Sequence, residues 1–457
     1  MDDKNNKYDI SELKTEGVGK LLWKYSLPAI VGMLVFSCYN LIDRIFIGRA
    51  TGSLGIAAIS VTYPIFLILM ALGMLVGIGS GTLISIKLGA GCKDDAEKIL
   101  GNAFCILLAF SAIATGAGIL YLDDILISFG ASPNTLSYAH DFMLVIFLGT
   151  VFSFISMGLN NVIRAEGNPG IAMGTMIIGS IFNIALNPLF IFTFKLGISG
   201  SALATLVSNL ISSAWVVWHF TYGKANIKLR FKNLKPDLEI IKPAFIIGFS
   251  PFITQIAGSS VAAVMNHNMF DYGGDMGVSA LGILSTIVMS LMMPIIGISQ
   301  GAQPIIGYNY GAGNYGRVKK AMLLSCGWAT AVSAIVFAAA YAAPEAIIKL
   351  FDPKTPELIT VGVNAMKLFM IGVIFLGFQI VGTNYFQAVG KPNVSIFLTL
   401  LRQVFLLIPF IYIFPRFWQL NGLWLAMPAS DILTSIVVFF ALRFEMKKLR
   451  GDAAINA

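Results

Sequence analysis

The chain is a succession of long apolar runs that carry almost no charge. Bounded by Gly, Pro, Asn and charged residues, the runs cover about 20–48, 54–80, 97–121, 136–163, 170–194, 200–222, 240–269, 278–304, 318–343, 358–388, 394–415 and 422–445. A helix that crosses a bilayer needs about 20 such residues, and each run meets that length. Only 12% of the 457 residues are charged, whereas a soluble chain carries roughly 25%. There is too little polar surface here for a large soluble domain. Residues 1–20 are polar and the first apolar run is long enough to remain as a span, so no cleaved leader is expected.

The formal net charge of +8 would suit a nucleic-acid binder, but its distribution points elsewhere. With an even number of spans both termini share a side. The loops on that side hold 23 of the 31 basic residues, including six in the linker (Lys224, Lys228, Arg230, Lys232, Lys235, Lys242), and the opposite loops hold six. Such a bias marks the cytoplasmic face. The expectation is a multi-pass protein of a bacterial cytoplasmic membrane with both termini inside, and no nucleic-acid partner. Four scattered Cys and three scattered His show neither metal spacing nor a disulfide pattern, so no cofactor and no bound transition metal are expected.

The chain also matches itself at a shift of about 222. Gly55-Ile56-Ala57-Ala58 answers to Gly277-Val278-Ser279-Ala280, Gly89-Ala90-Gly91 to Gly311-Ala312-Gly313, Gly167-Asn168-Pro169 to Gly390-Lys391-Pro392, and Gly200 to Gly422. Several matches in register imply a duplication. The expected fold is therefore all-α, with 12 transmembrane helices in two parallel six-helix bundles. Its parts are a tail 1–19, a bundle 20–222, a linker 223–239 expected to act as the hinge, a bundle 240–445 and a tail 446–457. Parallel repeats of this kind suit a transporter that alternates access. An integral-membrane enzyme would need paired acidic metal motifs, and Asp94-Asp95 and Asp123-Asp124 are lone pairs.

Ionisable residues inside spans are costly and mark function by default. The short list is Asp43, Lys367, Arg402 and Asp431. Arg402 and Asp431 read best as a structural ion pair. Asp43 has Tyr39 and Asn40 one turn away on its own helix. At about 1.5 Å per residue, Asn187 and Thr205 fall at a depth similar to that of Asp43, and Asn183 lies one turn deeper. One carboxylate, amide oxygens and a hydroxyl form an all-oxygen set for a proton or a small cation such as Na+. The structural alternative is a polar patch that packs one bundle. In the second half Asp43 maps to Met265 and Thr205 to Met427, so the set is confined to the first half. Candidate substrate-cavity residues are Gln255, Gln379, Asn384, Gln387 and the thioether cluster of Met289, Met292 and Met293, for which plain helix packing is the favoured alternative.

These features resemble the MATE (multidrug and toxin extrusion) family, and within it the bacterial MepA-type branch. The resemblance rests on Asn40-x-x-Asp43, Arg164-Ala165-x-Gly167-x-Pro169 and Asn183-x-x-x-Asn187-Pro188, and covers about 20–445. It implies a cation-coupled exporter of amphipathic, often cationic small molecules, driven by H+ or Na+ and working as a monomer in the lipid bilayer. It also implies that Asp43 is the coupling carboxylate, with Asn183, Asn187 and Thr205 around it and Asn160 as a further polar position. Two departures are visible. The family commonly has Asp where this chain has Asn187, and its NorM-like members have an acidic residue where this chain has Gln255. A lipid or lipid-linked oligosaccharide flippase of a related fold is the alternative. It would need several cavity cations for a phosphate, and this chain offers mainly Lys367 and Arg402.

Overall fold

A computed structural model describes residues 10–351 and 355–455. Among the described residues eleven helices are long and apolar enough to cross a membrane, and one bent pair, taken as a single span, makes twelve. In chain order they are α1 (Val18–Gly52), α2 (Ala57–Gly89), α3 (Lys93–Leu120), α4 (Pro133–Leu148 with Thr150–Ala165), α5 (Pro169–Thr193), α6 (Gly197–Thr221), α7 (Leu238–Gly274), α8 (Met276–Gly311), α9 (Tyr315–Ala342), α10 (Pro356–Ala388), α11 (Pro392–Ile413) and α12 (Pro415–Leu449). No strand occurs among the described residues. Several helices overrun the apolar runs. The 35 residues of α1 span about 52 Å, against roughly 30 Å of hydrocarbon. A charge ends an apolar run, but it does not end a helix that has already reached the polar interface.

The duplication extends to the backbone. α1 gives way to α2 at Gly52 (φ 64°, ψ −153°), and α7 to α8 at Gly274 (φ 55°, ψ −155°), 222 positions on. This region of φ and ψ is essentially reserved for glycine. α3 and α9 start and end 222 positions apart. The residues that precede α5 and α11, Asn168 and Lys391, have φ −112° with ψ 61° and 62°. Each is followed by a proline at the first helical position, where the missing N–H costs nothing. One pair diverges. α4 bends by 57° at Gly149, whereas α10 passes the corresponding place through a 3₁₀ turn, Met370–Gly372.

Packing divides the chain into two compact units. One holds residues 10–16 with Val31–Phe252, the other Gly17–Ile30 with residues 253–455. The units therefore differ from the sequence repeats at the beginnings of α1 and α7. The start of α1 packs in the second unit, where Trp23 meets Trp328 edge-on at 5.9 Å. The start of α7 packs in the first, where Phe245 meets Phe110 edge-on at 5.4 Å. Within the first unit α2 and α4 cross at Gly77 and Gly158. A Cβ on Gly77 would stand 2.7 Å from the Gly158 Cα, so the crossing needs glycine, as is usual where membrane helices touch.

The linker expected to act as a hinge is docked on the first unit instead. The Arg230 Nε pairs with the buried Glu97 Oε2 at 2.8 Å. The Lys228 N–H donates to Glu97 Oε1, and the Asp237 N–H to Asn102 Oδ1 at 2.7 Å. Further back, the fully buried Glu166 meets His219 Nε2 at 2.5 Å and accepts from Asn168 Nδ2 and the Ile227 N–H. Buried carboxylates demand such partners. No composition rule says that linker backbone supplies them.

Candidate functional site

Three helices of the first unit carry the site. Asp43 lies in α1. Asn183 and Asn187 lie one turn apart in α5, and Ser201 and Thr205 one turn apart in α6. α5 is interrupted directly after Asn187. Pro188 cannot donate to the carbonyl one turn back, and residues Leu189–Thr193 form a π-helical segment. Such segments are frequent at functional positions.

The side chains form two rungs. In the first, Asp43 Oδ1 accepts from Asn187 Nδ2 at 2.8 Å and from Ser201 Oγ at 2.5 Å. In the second, Asn183 Nδ2 donates to Thr205 Oγ1 at 3.1 Å. Asn187 Nδ2 also donates to Asn183 Oδ1 at 2.9 Å and joins the rungs. Asn183 and Asn187 are buried, and Asp43 is half-buried. The Asn187 Oδ1 has no hydrogen-bond partner among the described residues. A buried acceptor left in that state costs about 1–3 kcal/mol, so the arrangement has an oxygen available for a bound cation or water.

The structure thus brings Asp43, Asn183, Asn187 and Thr205 together, but in a different layering from that expected. Ser201, rather than Thr205, stands level with Asp43. Depth counting missed Ser201 because it took the start of α6 at Gly200, whereas the helix begins at Gly197. The signal was available, since Ser201 is four residues before Thr205 and shares its face. Asn160 belongs to another network. Its Nδ2 donates to the Ala172 carbonyl at 2.8 Å and its Oδ1 accepts from Arg164 at 2.9 Å, tying α4 to α5. Tyr39 stacks edge-on with Phe36 at 5.1 Å. The Asn40 side chain lies outside the described residues.

The second unit has no copy of this arrangement among the described residues. At the shift of 222, Asp43 and Ser201 correspond to Met265 and Leu423, both buried apolar residues. Its polar candidates are dispersed. Asn384 Nδ2 donates to Ser299 Oγ at 2.8 Å. Gln379 and Gln387 are buried with Oε1 and Nε2, respectively, unpartnered. Gln255 and Met292 are half-buried, and Met289 is exposed. No hydrogen bond joins any two of these among the described residues. Arg402, in a π-helical stretch of α11, pairs through Nε with Asp431 Oδ1 at 2.7 Å. Among the described residues no three His, Cys, Asp or Glu converge as a metal site.

A duplicated six-helix repeat in which only the first copy, among the described residues, joins an intramembrane carboxylate to amide and hydroxyl groups is the build of a multi-pass transporter. A family model for MatE matches residues 28–189 and 251–413, one block in each half. The chain therefore belongs to the MatE family. It is 29% identical over 434 residues to the multidrug export protein MepA of Staphylococcus aureus (strain MSSA476), across 93% of this chain and 94% of that protein. The protein of the same name from Staphylococcus haemolyticus (strain JCSC1435) is 28% identical over 437 residues and 95% of both chains. A crystal structure of MATE in the straight conformation matches with a TM-score of 0.92 at 25% identity, over 98% of this chain and 100% of that one. A MOP-superfamily transporter from Pyrococcus furiosus, described as having a binding pocket of reverse polarity, matches with a TM-score of 0.91 at 25% identity, over 97% and 100%. The MATE homologues are transporters, not enzymes.

Proposed function

We propose that the protein is a secondary active antiporter that exports amphipathic, often cationic drugs in exchange for H+ or Na+ by alternating access. The observation that carries this reading is the pairing of Asp43 with Asn187, whose own Oδ1 is buried and unpartnered beside it. An intramembrane carboxylate has two usable states. Protonated, it is neutral and keeps its hydrogen bonds at little electrostatic cost. Ionised, it is held by the Ser201 and Asn187 donors and by a cation. For Na+, the Asp43 carboxylate, the Asn187 and Asn183 amide oxygens and the Ser201 and Thr205 hydroxyls offer hard oxygen ligands. Exchange between these states repacks α1 against α5 and α6, which is how ion binding would bias the transport cycle.

Membership of the MatE family and the multidrug export function named for MepA support the substrate class. Coupling supplies the energy, since one charge moved across 100 mV releases about 2.3 kcal/mol. The protein works as a monomer in the cytoplasmic membrane, with both termini on the cytoplasmic side, a reading supported by the basic bias of those loops. Dye efflux from proteoliposomes under imposed pH or sodium gradients tests the proposal. Export should follow one of the two gradients in the parent and vanish in Asp43→Asn. Export by that variant against a dye gradient would overturn the mechanism.

A further inference from the structure

The linker between the two halves has an unusual surface. Phe231, Tyr222 and Leu238, at 93%, 85% and 79% exposure, are the three most exposed large apolar side chains among the described residues. All three lie within or directly beside the linker. Interspersed with them are Lys224, Lys232 and Lys235, which are exposed and in no ion pair among the described residues. The segment is nonetheless tied to the first unit by Glu97 and Glu166 and by the Asn102 side chain. An ordered loop that keeps a phenylalanine fully outward implies a partner for that ring.

The level of the loop along α3 says what the partner is. The first turns of α3 hold Lys93, Asp94, Asp95, Glu97 and Lys98, and from Ile99 to Leu120 the helix has no charged residue. That stretch is about 33 Å long, close to the roughly 30 Å of a bilayer's hydrocarbon. The polar boundary therefore falls near Ile99. The linker runs down α3 across this boundary. Arg230 pairs with Glu97, just on its polar side. Asn233 packs so tightly on Gly101 that a Cβ there would stand 2.3 Å from the Asn233 carbonyl oxygen. Deeper still, the Cys105 thiol donates to the Leu234 carbonyl at 3.1 Å. A backbone carbonyl taken to that depth needs a donor from the protein, and Cys105 supplies it. Phe231 lies between Arg230 and Asn233, hence at the boundary itself, the level where aromatic rings anchor in a membrane.

We propose that the segment 222–238 is an interfacial anchor that seats Phe231 at the headgroup–acyl boundary and sets Lys224 and Lys232, together with Lys235 reaching up from just below that level, against anionic phospholipid headgroups. The ring gains apolar surroundings without distorting the loop. The lysines meet the negative potential of an anionic leaflet, which attracts basic segments next to spans. The linker then fastens the first unit to one leaflet rather than serving as a loose tether.

The test uses the full chain in liposomes of phosphatidylcholine and phosphatidylglycerol. A nitroxide is placed at Phe231→Cys in a background of Cys38→Ser, Cys92→Ser, Cys105→Ser and Cys326→Ala. The reference carries the label on native Cys92, exposed before the charged start of α3, with the other three cysteines replaced. At position 231, collisions with oxygen should exceed those with a water-soluble nickel chelate several-fold, and at Cys92 the order should reverse. Nickel-dominated collisions at 231 would place it in water and overturn the proposal. Shielding from both probes would mean that protein covers the ring, and would overturn it equally. A second measurement needs no label. Added phosphatidylglycerol should raise the thermal midpoint of the parent, and the combined Lys224→Gln, Lys232→Gln and Lys235→Gln variant should lose at least half of that rise. A variant that keeps the whole rise, or a parent that shows none, overturns the headgroup assignment.

Discussion

The Asn187 amide donates to Asp43 Oδ1 at 2.8 Å while its own carbonyl oxygen stays buried and unpartnered. One side chain thus stabilises the carboxylate and holds an acceptor in reserve next to it. Asn187→Ala removes both, so cation-driven dye export in proteoliposomes should fall at least tenfold. Asn187→Leu should lose as much, because an apolar filler cannot replace either function.

Ser201 and Thr205 separate by rung. Ser201 touches Asp43 at 2.5 Å, and Thr205 touches Asn183. A hydrogen bond to a charged group contributes about 1.5–3 kcal/mol, and 1.4 kcal/mol is tenfold in affinity. Ser201→Ala should therefore weaken the apparent affinity for the coupling cation by about tenfold or more. Thr205→Val should change it less. Transport rate measured against external pH and sodium reads the difference.

The Arg402–Asp431 pair is a largely buried ion pair of the second unit. Breaking such a pair by removing one partner costs about 3–5 kcal/mol. Arg402→Met should lower the thermal midpoint in detergent markedly. The double variant Arg402→Met with Asp431→Leu should recover most of the loss, because it no longer strands a buried charge.

Linker docking depends on Glu97, which is buried against a half-exposed Arg230. Solvent discounts that ion pair, but Glu97 also receives the Lys228 N–H. Glu97→Ala should release the loop and speed tryptic cleavage after Arg230 and Lys232, read on gels of the protein in detergent. Cleavage at Lys14 should stay at the parent rate.

Two backbone positions give opposite signs. Gly52 holds φ 64° and ψ −153°, where a side chain is strained by about 1–3 kcal/mol, so Gly52→Ala should destabilise. Gln419 sits at φ 49° where the other half has Gly197 at φ 56°. Gln419→Gly should raise the thermal midpoint by relieving roughly 1 kcal/mol.

Much of this was readable along the chain. The apolar runs locate all twelve helices, and the shift of 222 anticipates Gly274 as the partner of Gly52. Asp43, Asn183, Asn187 and Thr205 could be singled out because polar groups inside spans are few and helical rise converts position into depth. Ser201 was lost to an error of one turn in where α6 begins. Helix ends are where local pattern is weakest, because the last turn gains little from either burial or capping.

Hydropathy and charge by themselves determined that the chain spans a membrane and how often, and the residue matches at a shift of about 222 determined that its two halves are copies. A bilayer forces backbone hydrogen bonds into helices and excludes charge, so a one-dimensional pattern suffices for those features. Only the tertiary structure decided that the start of α1 packs in the second unit and the start of α7 in the first. It alone decided that the linker is docked through Glu97 and Glu166, and that Asn160 serves Arg164 instead of Asp43. These depend on which helix faces meet, and depth along a helix says nothing about the direction in which a side chain finds its partner.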